Sequence, residues 1–105
     1  MTNCVFCKII AKEIPAQIVH EDEFCIGFND IHPKAPVHLL LVPKKHIPTL
    51  SDIDDHEEQL VGHMIKIAKE IAHKEKCEGY RLVFNVNEKG GQEVFHLHMH
   101  LMGWK

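Results

Sequence analysis

Three histidines, His96, His98 and His100, alternate with Leu97, Met99 and Leu101 near the end of the sequence. Imidazole changes charge near neutral pH, so one ring can attack, hand over a proton or bind a metal. Alternation is the period of a half-buried strand, and it predicts a strand over Val94–Met102. The three rings then share one face, and Leu97, Met99 and Leu101 enter the core. Alternate residues on a strand lie roughly 6.5–7 Å apart, so one imidazole can meet a reacting centre while its neighbours orient it or hold its substrate. Just upstream, Gly90-Gly91-Gln92 suits an anion, because glycines let the backbone approach closely and can form an amide nest. At the other end, Cys4-Val5-Phe6-Cys7 is a C-x-x-C pair, half of a tetrahedral metal site if two more ligands lie nearby.

The rest of the chain must place these groups. Phe6, Ile9 and Ile10 fall at helical spacing, which predicts a short helix over 6–12, ended by Pro15. Ile18–His20 and Phe24–Asn29 flank a charged turn and read as a hairpin. Asp30–Pro36 is a loop stiffened by two prolines. Val37–Val42 is apolar except for His38, as in a central strand covered on both faces. Leu60, Met64, Ile67, Ala68, Ile71 and Ala72 form the stripe of one long helix from about His56 to Lys76. Asp52, Asp54 and Asp55 suit its positive end, Lys74 and Lys76 its negative end, and Gly79 would stop it. Tyr80–Val86 is a further strand. Strands on both sides of one long helix give an α+β class with a largely antiparallel sheet.

The 105 residues imply one domain spanning 1–105. A net charge of −3 gives no broad footprint for nucleic acid or a membrane surface. No segment is long enough to span a bilayer, and the N-terminus lacks a secretory pattern, so the protein is expected in the cytoplasm. There its four cysteines are thiols or metal ligands rather than disulfides. Of the ten histidines, His20, His56, His63 and His73 read as surface or partly buried positions. Cys25 and Cys77 read as packing residues.

The run His96-Leu97-His98-Met99-His100-Leu101-Met102 resembles the His-φ-His-φ-His-φ-φ signature of the histidine triad superfamily. Asp30-Ile31, Ala35–His38, Val42–Ile47, Tyr80-Arg81, Asn85 and Gly90-Gly91-Gln92 resemble their counterparts in its Hint branch. The resemblance covers nearly the whole chain. It implies a sheet of about five strands with one long and one short helix, and a homodimer whose sheets join. It also implies hydrolysis of purine nucleoside 5′-phosphoramidates, and of aminoacyl adenylates, to AMP.

In that chemistry His98 is the nucleophile, forming a nucleotidyl-imidazole that water later opens. Its second nitrogen needs a proton acceptor, and either a backbone carbonyl or His38 would serve. A satisfied core histidine is the competing reading of His38. His100 would contact the phosphate and the bridging atom, and His96 would support the row or bind metal. By resemblance, Asn85, Gly91, Gln92 and Glu93 line the phosphate site, with His98 and His100. Glu93 departs from members that carry Ser or Thr, so only its backbone N–H is carried over. Asp30 fits the ribose hydroxyls. Val5, Phe6, Ile9, Phe28, Ile31 and Leu40 match the positions that sandwich the base, although Phe6 and Phe28 also suit a plain core. Many Hint-branch members run past the position of Trp104, so specificity set by that tail is not carried over.

Cys4, Cys7, His46 and His96 resemble the ligands of zinc-bearing branches, which implies a structural zinc; catalysis itself needs no cofactor. Other functions share the triad. A dinucleoside polyphosphate hydrolase, or a nucleotide-binding regulatory module with little turnover, would use the same residues. A metalloenzyme using the three histidines as ligands lacks an accompanying carboxylate.

Overall fold

The computed structural model describes residues 4–105. A five-stranded antiparallel sheet runs in the order β1-β2-β3-β5-β4, where β1 is Ile18–Glu21, β2 Cys25–Asn29, β3 Val37–Pro43, β4 Gly79–Val83 and β5 Met99–Trp104. Helix α1 (Val5–Ile10) covers one face and α2 (Glu58–Lys74) the other. β3 is buried along its whole length, as expected for a strand between two helical layers.

Register decides which face each side chain meets. Leu40 stands opposite His100 and His38 opposite Met102, while Phe28 stands opposite Leu40 and Ile26 opposite Val42. Directly opposed residues share a face. Ile26, Phe28, Leu40 and Val42 therefore pack under Phe6 and Ile9 of α1, and His38 and His100 open on the same side. Leu39, Leu41, Met99 and Leu101 point the other way, onto Met64, Ile67, Ala68, Ile71 and Ala72 of α2. Leu60 is only partly buried, so the core stripe begins at Met64.

The ends of the elements differ from expectation for identifiable reasons. α1 stops at Ile10 because Lys12 takes a left-handed conformation, φ 63°, well before Pro15. Lys76, φ 62°, ends α2 in the same way, and Gly79 is instead the first residue of β4. Asp54 caps the turn that feeds α2, in a reciprocal capping box with Glu57. The anticipated strand over 94–102 begins only at Met99. Proline has no N–H for a ladder, and the β3–β5 pairing ends at Leu41 opposite Met99, two residues short of Pro43. The Pro43 carbonyl is taken by the His96 ring, and the Leu97 amide turns aside to Ile47. β4 likewise ends at Val83 rather than Val86.

Candidate active site and metal centre

The three histidines do not form one row. His100 lies on β5, whereas His96 and His98 lie on the segment before it, His96 in a bend, and His96 faces a separate cluster. This division follows from the early end of the ladder.

His98 is buried, and its Nδ1 lies 2.8 Å from the carbonyl oxygen of His96. A carbonyl only accepts, so Nδ1 carries the proton and donates it. Nε2 is then left with a free lone pair. Of the two acceptors anticipated for this ring, the backbone carbonyl fills the role. His38 serves elsewhere. Its Nδ1 accepts the Lys34 amide at 2.9 Å, which places its proton on Nε2. That Nε2 lies 3.0 Å from His100 Nδ1 and 3.4 Å from a carboxylate oxygen of Asp30. His100 thus accepts at Nδ1 and presents an N–H at Nε2. The His98 and His100 rings lie edge to face, 5.3 Å apart. Side by side stand one ring with a lone pair and one with a proton.

Burial, then the neighbouring His98 and His38, pull His100 down to about 4. Its folded value lies below the ordinary 6.5, so between these values the unfolded chain binds more protons. His100 therefore contributes stability that is complete above pH about 6.5 and is lost as pH falls towards 4. One histidine gives a slope of at most about 1.4 kcal/mol per pH unit. Urea unfolding across this window is expected to show a smaller loss for His100→Gln than for wild type; equal losses would contradict the assignment.

Beside the rings lies a cleft of about 780 Å³ lined by Val5, Phe6, Ile9, Phe28, Asp30, Ile31 and Leu40, all anticipated from the sequence. Phe6 forms its inner wall, edge-on to Phe28 at 5.6 Å and to His98 at 5.1 Å. Ile31 is an exposed lip. Asp30 accepts the His32 amide at 2.8 Å through one oxygen and faces His38 with the other. Ile14, Pro15, Ala16, Gln17 and Asn29 complete the lining. They sit in the turn after α1 and at the end of β2, and their residue types carry no chemical signal.

The glycine loop corrects an expectation. The amides of Gly90, Gly91 and Gln92 donate within their own turn, to the carbonyls of Asn87, Glu88 and Asn87, and so do not form an anion nest. The Gln92 side chain is buried and also occupied: it accepts the Asn87 amide and donates to the carbonyls of Pro48 and Val94. Gly91, at φ 92°, has the conformation that turns the loop, with the Asn85 side chain alongside. The Glu93 amide follows this turn and has no hydrogen bond among the described residues. It is the donor this loop still offers to an anion.

His96 is fully buried, and its Nε2 donates to the Pro43 carbonyl at 2.8 Å, which turns the Nδ1 lone pair the other way. There it meets Cys4 Sγ at 3.3 Å, Cys7 Sγ at 3.6 Å and His46 Nδ1 at 3.1 Å, while Cys7 Sγ and His46 Nδ1 are 3.3 Å apart. Metal–ligand bonds of about 2.3 Å to sulfur and 2.0–2.1 Å to nitrogen give tetrahedral edges of roughly 3.3–3.8 Å. The four donors match that shell. With its ring engaged here, His96 supports the row through its main chain, since its carbonyl accepts from the His98 ring. The divergence of the rings also rules out a centre made from His96, His98 and His100 together.

Comparison with known proteins agrees with this geometry. Residues 3–105 match the family described as scavenger mRNA decapping enzyme C-term binding. A HIT family hydrolase from Legionella pneumophila Philadelphia 1 is 51% identical, with a TM-score of 0.94 over 98% of this chain and 94% of that one. The chain belongs to the histidine triad superfamily. A second histidine triad protein, a zinc-bound one from Mycobacterium smegmatis, is 30% identical with a TM-score of 0.90, over 98% of this chain and 76% of that one. A protein of Escherichia coli strain K12 named purine nucleoside phosphoramidase is 48% identical over 101 residues, 94% of this chain and 85% of that protein. In this histidine triad chain, then, the signature histidines divide their work between a metal-type cluster and a cleft.

Proposed function

We propose that this protein hydrolyses the P–N bond of purine nucleoside 5′-phosphoramidates, of the adenosine 5′-monophosphoramidate type, releasing AMP and an amine, and also the acyl phosphate P–O bond of aminoacyl adenylates, releasing AMP and the amino acid. The observation that carries this reading is the fixed tautomer of His98, whose free Nε2 stands beside the wall of an apolar cleft. The relative named purine nucleoside phosphoramidase supports it.

The base lies between Phe6, Ile9 and Phe28, and Asp30 accepts from the ribose hydroxyls. His98 Nε2 attacks phosphorus, and a nucleotidyl-histidine forms as the P–N bond breaks. His100 passes its Nε2 proton to the departing nitrogen and recovers one from solvent, help typically worth about 10²–10⁴ in rate. His38 holds His100 in the donating tautomer. Water then opens the intermediate, returns a proton to solvent and frees AMP. The Glu93 amide and Asn85 stabilise the phosphoryl charge.

Cys4, Cys7, His46 and His96 would hold a structural zinc ion, which pins α1 to the segment that carries His98. The Mycobacterium smegmatis relative, solved with zinc, supports this. A homodimer is proposed through the β4 edge, on which Tyr80 is exposed. A cytoplasmic location is proposed from the four free cysteines; no helix among the described residues is long and apolar enough to cross a membrane.

Steady-state release of AMP from an adenosine 5′-phosphoramidate tests the proposal, with diadenosine polyphosphate as the competing substrate. Turnover of the first in preference to the second is expected; the reverse order, or no turnover of either, would refute it. Loss of the ribose contact in Asp30→Ala is expected to raise KM about tenfold, the scale of a hydrogen bond to a charged group. An unchanged KM would remove Asp30 from the binding site.

A further inference from the structure

A second cavity, of about 340 Å³, is lined by Cys4, Val5, Glu93, Val94 and Phe95. Val5 lines both this cavity and the nucleoside cleft, so the two adjoin at the first residue of α1. Phe6, the next residue, touches the His98 ring. Val94 packs against the apolar layer that floors the cleft. A substrate with its nucleoside in the cleft and its phosphorus at His98 must send its remaining substituent, the leaving amine, out of the cleft. The adjoining cavity meets the cleft at Val5, next in sequence to the Phe6 whose ring contacts His98, and offers that substituent a place.

The walls have a definite chemistry. Glu93 is exposed and forms no ion pair among the described residues. Phe95 exposes about half its surface, 47%, although it is a large apolar ring. A carboxylate and an aromatic face together attract a cation, the first by charge and the second through its ring quadrupole. Neither wall assists an anionic group. Apart from the Glu93 amide, nothing here supports the phosphate, so the side chains are left for the other half of the substrate.

Resting on the phosphoramidate reading, we propose that this cavity is the leaving-group subsite and that it selects amines bearing a second, positively charged group. Two matched adenosine 5′-phosphoramidates test this, one made with cadaverine and one with hexylamine. The two leaving groups have nearly the same length, but one ends in an ammonium and the other in a methyl. Wild type is expected to favour the cadaverine compound about fivefold to tenfold in kcat/KM, as for a partly exposed charge pair with a cation–π contact. The preference should shrink with added salt. Glu93→Gln is expected to bring the ratio close to one, and Glu93→Lys to invert it. Phe95→Leu should reduce it in part. Because the ratio is taken within each variant, a general change in rate cancels. Hydrolysis of both compounds at equal efficiency by wild type, or a ratio unchanged in Glu93→Gln, would overturn the subsite while leaving the phosphoramidase reading in place. Hydrolysis of neither would overturn the phosphoramidase reading and the subsite with it.

Discussion

Replacement of His98 by alanine is expected to lower kcat/KM for an adenosine 5′-phosphoramidate by at least about 10⁴, the scale seen when a nucleophile is removed from a unit that acts together. No nearby group offers a substitute. His96 has both nitrogens committed, one to Pro43 and one to the cysteine cluster. His100 Nδ1 accepts from His38, and its Nε2 carries the proton that the leaving nitrogen requires. The variant should still fold, because the ring contributes only edge contacts to Phe6 and His100 and one local hydrogen bond. It should therefore retain AMP binding in the cleft. Activity within tenfold of wild type, measured on protein with unaltered thermal unfolding, would show that another atom attacks.

Loss of the proposed zinc ion is expected to have the largest effect on stability. A ligand that binds only the folded state stabilises by about 4 kcal/mol when its free concentration is a thousand times Kd. For a domain of this size each kcal/mol moves Tm by roughly 4–8 °C. A Cys4→Ala/Cys7→Ala variant, or a strong chelator acting on wild type, should thus lower Tm by about 15 °C or more. The cost is concentrated because Cys4 also caps α1, its Sγ accepting the Cys7 amide. α1 in turn supplies Phe6 and Ile9 to the cleft. Activity should fall together with stability, since His96, freed from the cluster, no longer fixes the carbonyl that orients His98. Purified protein that carries no stoichiometric zinc and is indifferent to chelator would remove the ion from the account.

Much of this site was legible in the sequence. The alternating histidines and the C-x-x-C pair are rare residue types at fixed intervals and drew attention to the site, whereas His46 and His96 joined the cysteines only through the family resemblance. The cleft lining came from the family resemblance, and the structure brings those residues together on α1, β2, β3 and the loop after β2. The missing information lay mainly in the backbone. The tautomers of His38, His96 and His98 are set by the Lys34 amide and by the carbonyls of Pro43 and His96, and a main-chain group has no letter in the sequence. The glycine loop misled for the same reason. Its composition suits a nest, yet its amides close a turn on Asn87 and Glu88. Alternation over 94–102 placed Met99 and Leu101 in the core but failed before Met99, because Pro43 on the neighbouring strand denies the ladder its next donor. The helix ends were assigned to Pro15 and Gly79, whereas Lys12 and Lys76 take positive φ that their residue type does not announce.

Intact-mass and peptide analysis of enzyme quenched during turnover of a slow adenosine phosphoramidate addresses the central claim most directly. The account predicts one adenylyl group attached through nitrogen to the peptide bearing His98, appearing with substrate, decaying as AMP is released and absent from His98→Ala. A wild-type enzyme that turns over fully without passing through such an adduct, or one that carries it on a different residue, would contradict it.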